Sequence, residues 1–237
     1  MIHHTCWDSD NHASLQLTNL PPCHVLLCRS PKVKQVNGNF SHRTFEFCKP
    51  IIQIDGTFLY GKYRGTLLIA TSQDGNSKVV PLAFAIVEGE TLSAWSWFLA
   101  NIREHVTSKT GICLISDRHK SIIQAVANEH LGWQPPNAYH VYCIRHISSN
   151  FNLRFKNSEL KGELISLGYI PGEIHFDNVF GQFKSESANI ERWIDRIPKE
   201  KWSLAYDGGR RSEGHNRKRC PLRPGGSGSQ PNDGDNV

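Results

Sequence analysis

Apolar and polar positions follow two different periods along the middle of this chain, and the changeovers mark its elements. Ile51 to Asp55 is a short apolar, β-branched run with Gly56 directly behind it. Thr66 to Thr71 and Val79 to Val87 are two more such runs, and the polar stretch Ser72 to Lys78, centred on Asp74-Gly75-Asn76, supplies a turn between them. Together they predict an antiparallel meander. Pro81 cannot donate a ladder hydrogen bond, so the start of the third run is expected on an edge or at a bulge.

The period then lengthens. Trp95, Phe98, Leu99, Ile102 and Val106 fall at i, i+3, i+4, i+7 and i+11, the stripe of an amphipathic helix, with Thr91 placed to cap it. Ile112 to Ser116 returns to strand and ends at Asp117. A second helix follows, with Ile122, Ile123, Val126 and Ala127 on one face, and Ala138 to Tyr142 is a fifth strand. The order β-β-β-α-β-α-β, with its later strands joined through helices as parallel neighbours are, is the succession of an α/β ribonuclease-H-like mixed sheet. Beyond residue 150 the signal is helical, from Phe151 to Gly168 and again from Asn178 to Trp193. Pro198 and Asp207-Gly208-Gly209 break it.

Four regions are therefore expected. Residues 1–43 are irregular, 44–150 form the α/β core, 151–207 are a helical segment, and 208–237 are a Gly-, Ser-, Pro- and Arg-rich tail too poor in apolar residues to fold. Composition narrows the class further. A hydrophobic content of 38% and a charged content of 21% suit a soluble globular domain. No run approaches the roughly 18 apolar residues of a membrane span, and the start of the chain lacks a secretory pattern. Seven scattered cysteines do not make a disulfide framework, which favours a reducing compartment. The net charge of +5 is compatible with an acidic partner but also with an ordinary solvated surface.

The chemistry centres on two acids. Asp55 closes the first predicted strand and Asp117 the fourth, and those strands lie side by side in this fold. Two carboxylates brought together repel unless a cation lies between them. Hard divalent cations take oxygen ligands and clamp the oxygens of an in-line phosphoryl transfer, so the pair suits a two-metal nuclease or strand-transfer site. The plainer reading is that Asp55 heads an Asp-Gly turn and Asp117 caps the next helix.

Five stretches, IIQIDGTFLYGKYRGTLLIATSQDGN, PLAFAIVEGETLSAWSWFLANIREHV, GICLISDRHKSI, GWQPPNAYHVYCIRHISSNF and WIDRIPKEKWSLAYDGGRR, resemble in order and spacing the Mutator-like element (MULE) transposases of plants. The resemblance covers roughly Phe45 to Arg211. It implies a ribonuclease-H-like fold, a nuclear location, and DNA as partner, at transposon ends and at the target. It also implies cut-and-paste strand transfer with Mg²⁺ or Mn²⁺, and a homo-oligomer or a full-length transposase as a further partner. It makes Asp55 and Asp117 the catalytic, metal-binding acids. It also matches a Cys-x-x-His element to Cys143 and His146, as DNA contacts or active-site surroundings rather than zinc ligands. Read from the residues alone, Cys143 is a small buried hydrophobe, His146 a polar residue near the active end, and His140 structural.

The chain departs from the resemblance after DGGRR, where the segment carrying the family's third acid, a late-helix Glu, is replaced. Glu213 has no helix to hold it, and the third acid is left unknown. The chain is expected to be inactive for transposition alone. A non-catalytic DNA-binding or regulatory descendant of a transposase is the alternative. Arg210, Arg211, Arg217, Lys218, Arg219 and Arg223 read either as a phosphate-binding or import run or as a solvated tail. His3, His4, Cys6, His12, Cys23 and Cys28 match no common zinc spacing. Trp95, Trp97 and Trp193 are expected in the core.

Overall fold

The computed structural model describes the backbone of residues 25–28 and residues 44–60 and 65–211 in full. Six strands form one sheet: β1 (Val25–Cys28), β2 (Ile51–Leu59), β3 (Gly65–Gln73), β4 (Val79–Val87), β5 (Ile112–Ser116) and β6 (Ala138–Tyr142). Helix α1 (Leu92–His105) links β4 to β5, and α2 (Lys120–Ala127) links β5 to β6. Four more helices follow: α3 (Ile144–Phe155), α4 (Ser158–Gly168), α5 (Glu173–Ser185) and α6 (Ala188–Ile194).

The spatial order is β1-β4-β3-β2-β5-β6. β2, β3 and β4 form the predicted antiparallel meander, and β2, β5 and β6 run parallel. Pro81 pairs with Thr71 while Ala83 pairs with Ala70, so Leu82 is the extra residue of a bulge. Among the described residues β1 pairs with β4 from Ala83 to Ile86 and not at Pro81. Both arrangements spare the missing N–H.

α1 begins where Thr91 Oγ1 accepts a hydrogen bond from the Ala94 N–H at 3.1 Å. Its stripe of Trp95, Phe98, Leu99 and Ile102 is fully buried against Ile52, Ile54, Leu68, Ala83 and Ala85 of the sheet. α2 adds Ile122, Ala125 and Val126 to the same core. A second core belongs to the helical part, with Phe151, Phe176, Phe183 and Trp202 at its centre. Among the described residues no helix is long and apolar enough to cross a membrane.

Five expectations change. The stretch up to residue 43, read as irregular, contains β1, which pairs parallel to β4 as an edge strand. The first core strand does not end at Asp55: β3 goes on pairing with it, Asp55 opposite Ile69 and Leu59 opposite Gly65, so the strand continues. The helical pattern from residue 151 belongs to two helices, broken where Lys156 takes a left-handed conformation (φ 54°) and Asn157 caps α4 by accepting from the Glu159 and Leu160 N–H groups. The boundary at residue 150 falls inside α3, whose Ile144 and Ile147 already belong to the second core. The predicted tail also starts late. Residues 208–211 are an ordered turn, while 212–237, including Glu213, Arg217, Lys218, Arg219 and Arg223, lie outside the described residues. So do His3, His4, Cys6, His12, Cys23 and the side chain of Cys28.

Candidate active site

Register brings the two aspartates together. The last parallel pair between β2 and β5 is Gln53 opposite Ile115. Side chains alternate across a strand, so Asp55 and Asp117, each two residues on, emerge level on the same face of neighbouring chains about 5 Å apart. Asp117 follows the last residue of β5. Asp55 stands where β2 has outrun its parallel partner and is held only by β3. Neither plain reading holds in full. Gly56 continues the strand instead of turning it, and helix α2 takes His119, not Asp117, as its N-cap. Asp117 does accept the His119 N–H at 3.0 Å, which fixes its Oδ1 just ahead of that helix.

Asp55 is fixed as well: its Oδ1 accepts the Gly56 N–H at 2.9 Å, while Oδ2 lies 3.8 Å from His146 Nε2. Burial pushes the Asp55 carboxyl up to about 6, and the Asp117 charge adds to that rise. The His146 imidazolium and the Gly56 N–H pull the other way. His146 is held up at about 9, first by its hydrogen bond with the Cys143 side chain, then by the negative charges beside it, against the opposing effect of burial. The site is thus two carboxylates faced by one imidazolium.

Cys143 and His146 come from the start of α3, directly after β6. Cys143 is buried in a small cluster with Ile51, Cys113, Ile115 and Val141 beneath the acids. It forms part of the site's floor, as the residue-based reading had it, and offers DNA no exposed thiol. His140 is structural: its Nε2 pairs with Ser116 Oγ at 2.8 Å, its carbonyl accepts from Lys201 Nζ at 3.0 Å, and burial, aided by Lys201, lowers its pKa to about 4. Trp95 is fully buried, Trp97 packs against the sheet core, and Trp193 packs edge-on against Phe151 and Phe155.

Glu90 was not foreseen. It lies in the bend between β4 and α1, half-buried, with its carboxylate laid across Gly56. Burial and the charge of Asp117 raise its pKa, while His119 and His146 oppose the rise. A sequence sign existed only as an acid just ahead of the Thr91 cap, opposite no visible partner.

The donor set fits a hard divalent cation. Asp55 is a desolvated carboxylate repelled by a second one, and oxygen atoms remain on both that no backbone N–H has taken. Among the described residues no three His, Cys, Asp or Glu side chains form a group that could hold a metal ion.

A mixed sheet in which a three-stranded meander is continued by two parallel strands, with acids level on its two central strands where their mutual pairing stops, defines the ribonuclease-H-like class of α/β domain. Residues 51–150 match the family model of the MULE transposase domain. Both aspartates, Cys143 and His146 fall inside the match. No curated protein matches the chain.

Proposed function

We propose that this transposase-type domain is a DNA strand-cleaving and strand-transferring core in which Asp55 and Asp117 bind Mg²⁺ or Mn²⁺. The observation that supports it best is the level placement of the two acids inside the matched stretch, Asp55 within β2 where its pairing with β5 has stopped and Asp117 directly after β5. A bound divalent ion would supply Lewis-acid activation and charge neutralisation for phosphoryl transfer. The chain's own part is orientation. The Gly56 and His119 N–H groups fix one oxygen of each aspartate, and the other oxygen of Asp55 lies toward His146. His146 keeps a proton beside Asp55 and presents positive charge to an approaching phosphate. Glu90 adds a further carboxylate at this end of the sheet.

The proposed partners are transposon-end and target DNA, with a second copy or a full-length transposase completing the assembly in the nucleus. With two aspartates assigned and no late-helix Glu assigned as third acid among the described residues, turnover by the chain alone is proposed to be slow. The test is calorimetric titration of Mn²⁺ into the folded wild type, Asp55→Asn and Asp117→Asn, followed by a nicking assay on duplex DNA. Binding that either substitution abolishes, with Mn²⁺-dependent nicking, supports the reading. A folded wild type that binds no Mn²⁺ sinks it and leaves a DNA-binding descendant as the better account.

A further inference from the structure

A small pocket lies directly below the acid pair, lined by Gln53, Ile115, Cys143, Arg145, Tyr169 and Arg211 among others. Gln53 and Ile115 are the same-face residues two positions before Asp55 and Asp117, so the pocket adjoins the site. Two guanidiniums line it. Arg211 reaches it through the turn that follows Tyr206. Asp207, buried to 1% exposure, accepts the Gly209 N–H at 2.8 Å on Oδ1, and on Oδ2 the Arg211 N–H at 3.2 Å and the Arg211 Nε at 2.7 Å. Both carboxylate oxygens are thereby committed. The Arg211 side chain is only 6% exposed, and its Nη2 is buried without a hydrogen-bond partner among the described residues.

Arg145 stands in the first turn of α3 and likewise has a buried Nε with no partner there. The N-cap of that helix, Cys143, makes no side-chain cap bond, so the positive end of α3 also opens at the pocket wall. Buried guanidinium N–H groups without acceptors are costly, and native structures leave few of them. Here two share one opening, backed by a helix N-terminus, and the Asp207 carboxylate is already used. An anionic acceptor would satisfy them. A tetrahedral oxyanion matches planar guanidinium forks well.

We propose that this pocket receives a phosphate oxygen of a DNA strand, held by Arg145 and Arg211, and so anchors the strand beside Asp55 and Asp117. The proposal rests on the DNA-cleaving reading above, and it assigns a role to the DGGRR stretch: its turn delivers Arg211 to the face that carries the acids.

The test is made without divalent metal, so that loss of the acid site does not confuse it. Inorganic phosphate is titrated into the ¹⁵N-labelled chain while the arginine Nε–Hε resonances are followed. In parallel, a fluorescent single-stranded oligonucleotide is titrated by anisotropy at several salt concentrations, with wild type, Arg145→Gln, Arg145→Lys and Asp55→Asn. Arg145 is half-buried and unpaired with any acid among the described residues, so its variants are expected to melt as the wild type does. The expected result is that phosphate moves both resonances. Arg145→Gln should weaken DNA binding about tenfold and lower the salt slope by about one, Arg145→Lys should fall between, and Asp55→Asn, which removes a negative charge beside the strand, should bind no more weakly than wild type. Wild-type DNA binding with an unchanged affinity and slope in Arg145→Gln overturns the pocket while sparing the DNA-cleaving reading. A phosphate response with no DNA binding by the wild type overturns the DNA assignment and that reading together, leaving a site for a smaller anion.

Discussion

The Glu90 carboxylate occupies the space that a side chain on residue 56 would need. A Cβ at Gly56 would stand 2.7 Å from Glu90 Cδ and 2.9 Å from both Oε atoms. Gly56 directly follows Asp55, so its missing side chain lets a third acid come to the same end of the sheet. The backbone at Gly56 is extended and tolerates alanine. Gly56→Ala is therefore expected to displace the flexible end of Glu90 at a cost below about 1 kcal/mol in stability. It should weaken Mn²⁺ binding several-fold, and Glu90→Gln should do the same. Calorimetry on both variants checks this, and unchanged Mn²⁺ affinity in the pair would detach Glu90 from the site.

The pH dependence follows from the buried aspartate. Asp55 is raised from 3.8 to about 6, so its contribution to stability is fully present below pH 3.8 and is lost as pH rises through 6. In the metal-free protein at pH 7, Asp55→Asn is expected to be more stable than wild type by on the order of 1–2 kcal/mol. The difference should shrink to little below pH 4. Mn²⁺ needs the ionised form, so its affinity should fall about tenfold per unit below pH 6. Urea melts and Mn²⁺ titrations from pH 4 to 8 read both.

His146 holds its proton to about 9, well above its usual value, so what it adds to stability is complete below pH 6.5 and disappears as pH passes 9. At pH 7.5 its positive charge stands where it repels a second cation near Asp55. His146→Asn should bind Mn²⁺ more tightly than wild type at that pH, with the gap closing toward pH 10. A weaker or equal affinity at pH 7.5 would mean the imidazole is not in competition with the metal.

The turn that carries Arg211 depends on one buried carboxylate. Asp207→Asn removes a charge that balances a guanidinium almost as deeply buried, and breaking such a pair from one side costs about 3–5 kcal/mol. The variant should melt well below wild type by circular dichroism. A loss under about 1 kcal/mol would show the pair to be solvated.

Packing within the second core is tight at Gly168. A Cβ there would meet Ile144 Cγ1 at 2.6 Å and Cβ at 3.2 Å, atoms near the root of a branched side chain that have little room to retreat. Gly168→Ala gains up to about 1 kcal/mol of helix propensity, yet a net loss of about 1–2 kcal/mol is expected from the overpacking. Adding Ile144→Ala should cost less than the sum of the single losses, which a double-mutant melt would reveal.

Much of this was legible in the residues. The change of period at Thr91 located both the helix and its cap, and the Pro81 argument anticipated the bulge and the unpaired flank. Asp55 and Asp117 were singled out because each closed a predicted strand and lay in a stretch resembling the MULE transposases. The extension of β2 past Asp55 was not, because Asp-Gly carries the local signature of a turn and only the continued pairing with β3 overrides it. Glu90 escaped because its relation to Gly56 spans separate elements. Arg211 escaped because glycines beside arginines resemble a solvated tail, whereas here the Asp207 side chain ties up the turn's own donors.

The second core begins inside the stretch that matches the family. Ile144 and Ile147 face Phe176 and Trp202, and Cys143 and His146 sit on the same helix, at the rim of the acid pair. A fragment cut at the end of the matched stretch would keep every assigned acid and yet carry half a helix with its greasy side bare. Dissection of this protein therefore has to follow its hydrophobic seams, and the smallest piece worth assaying runs through Arg211.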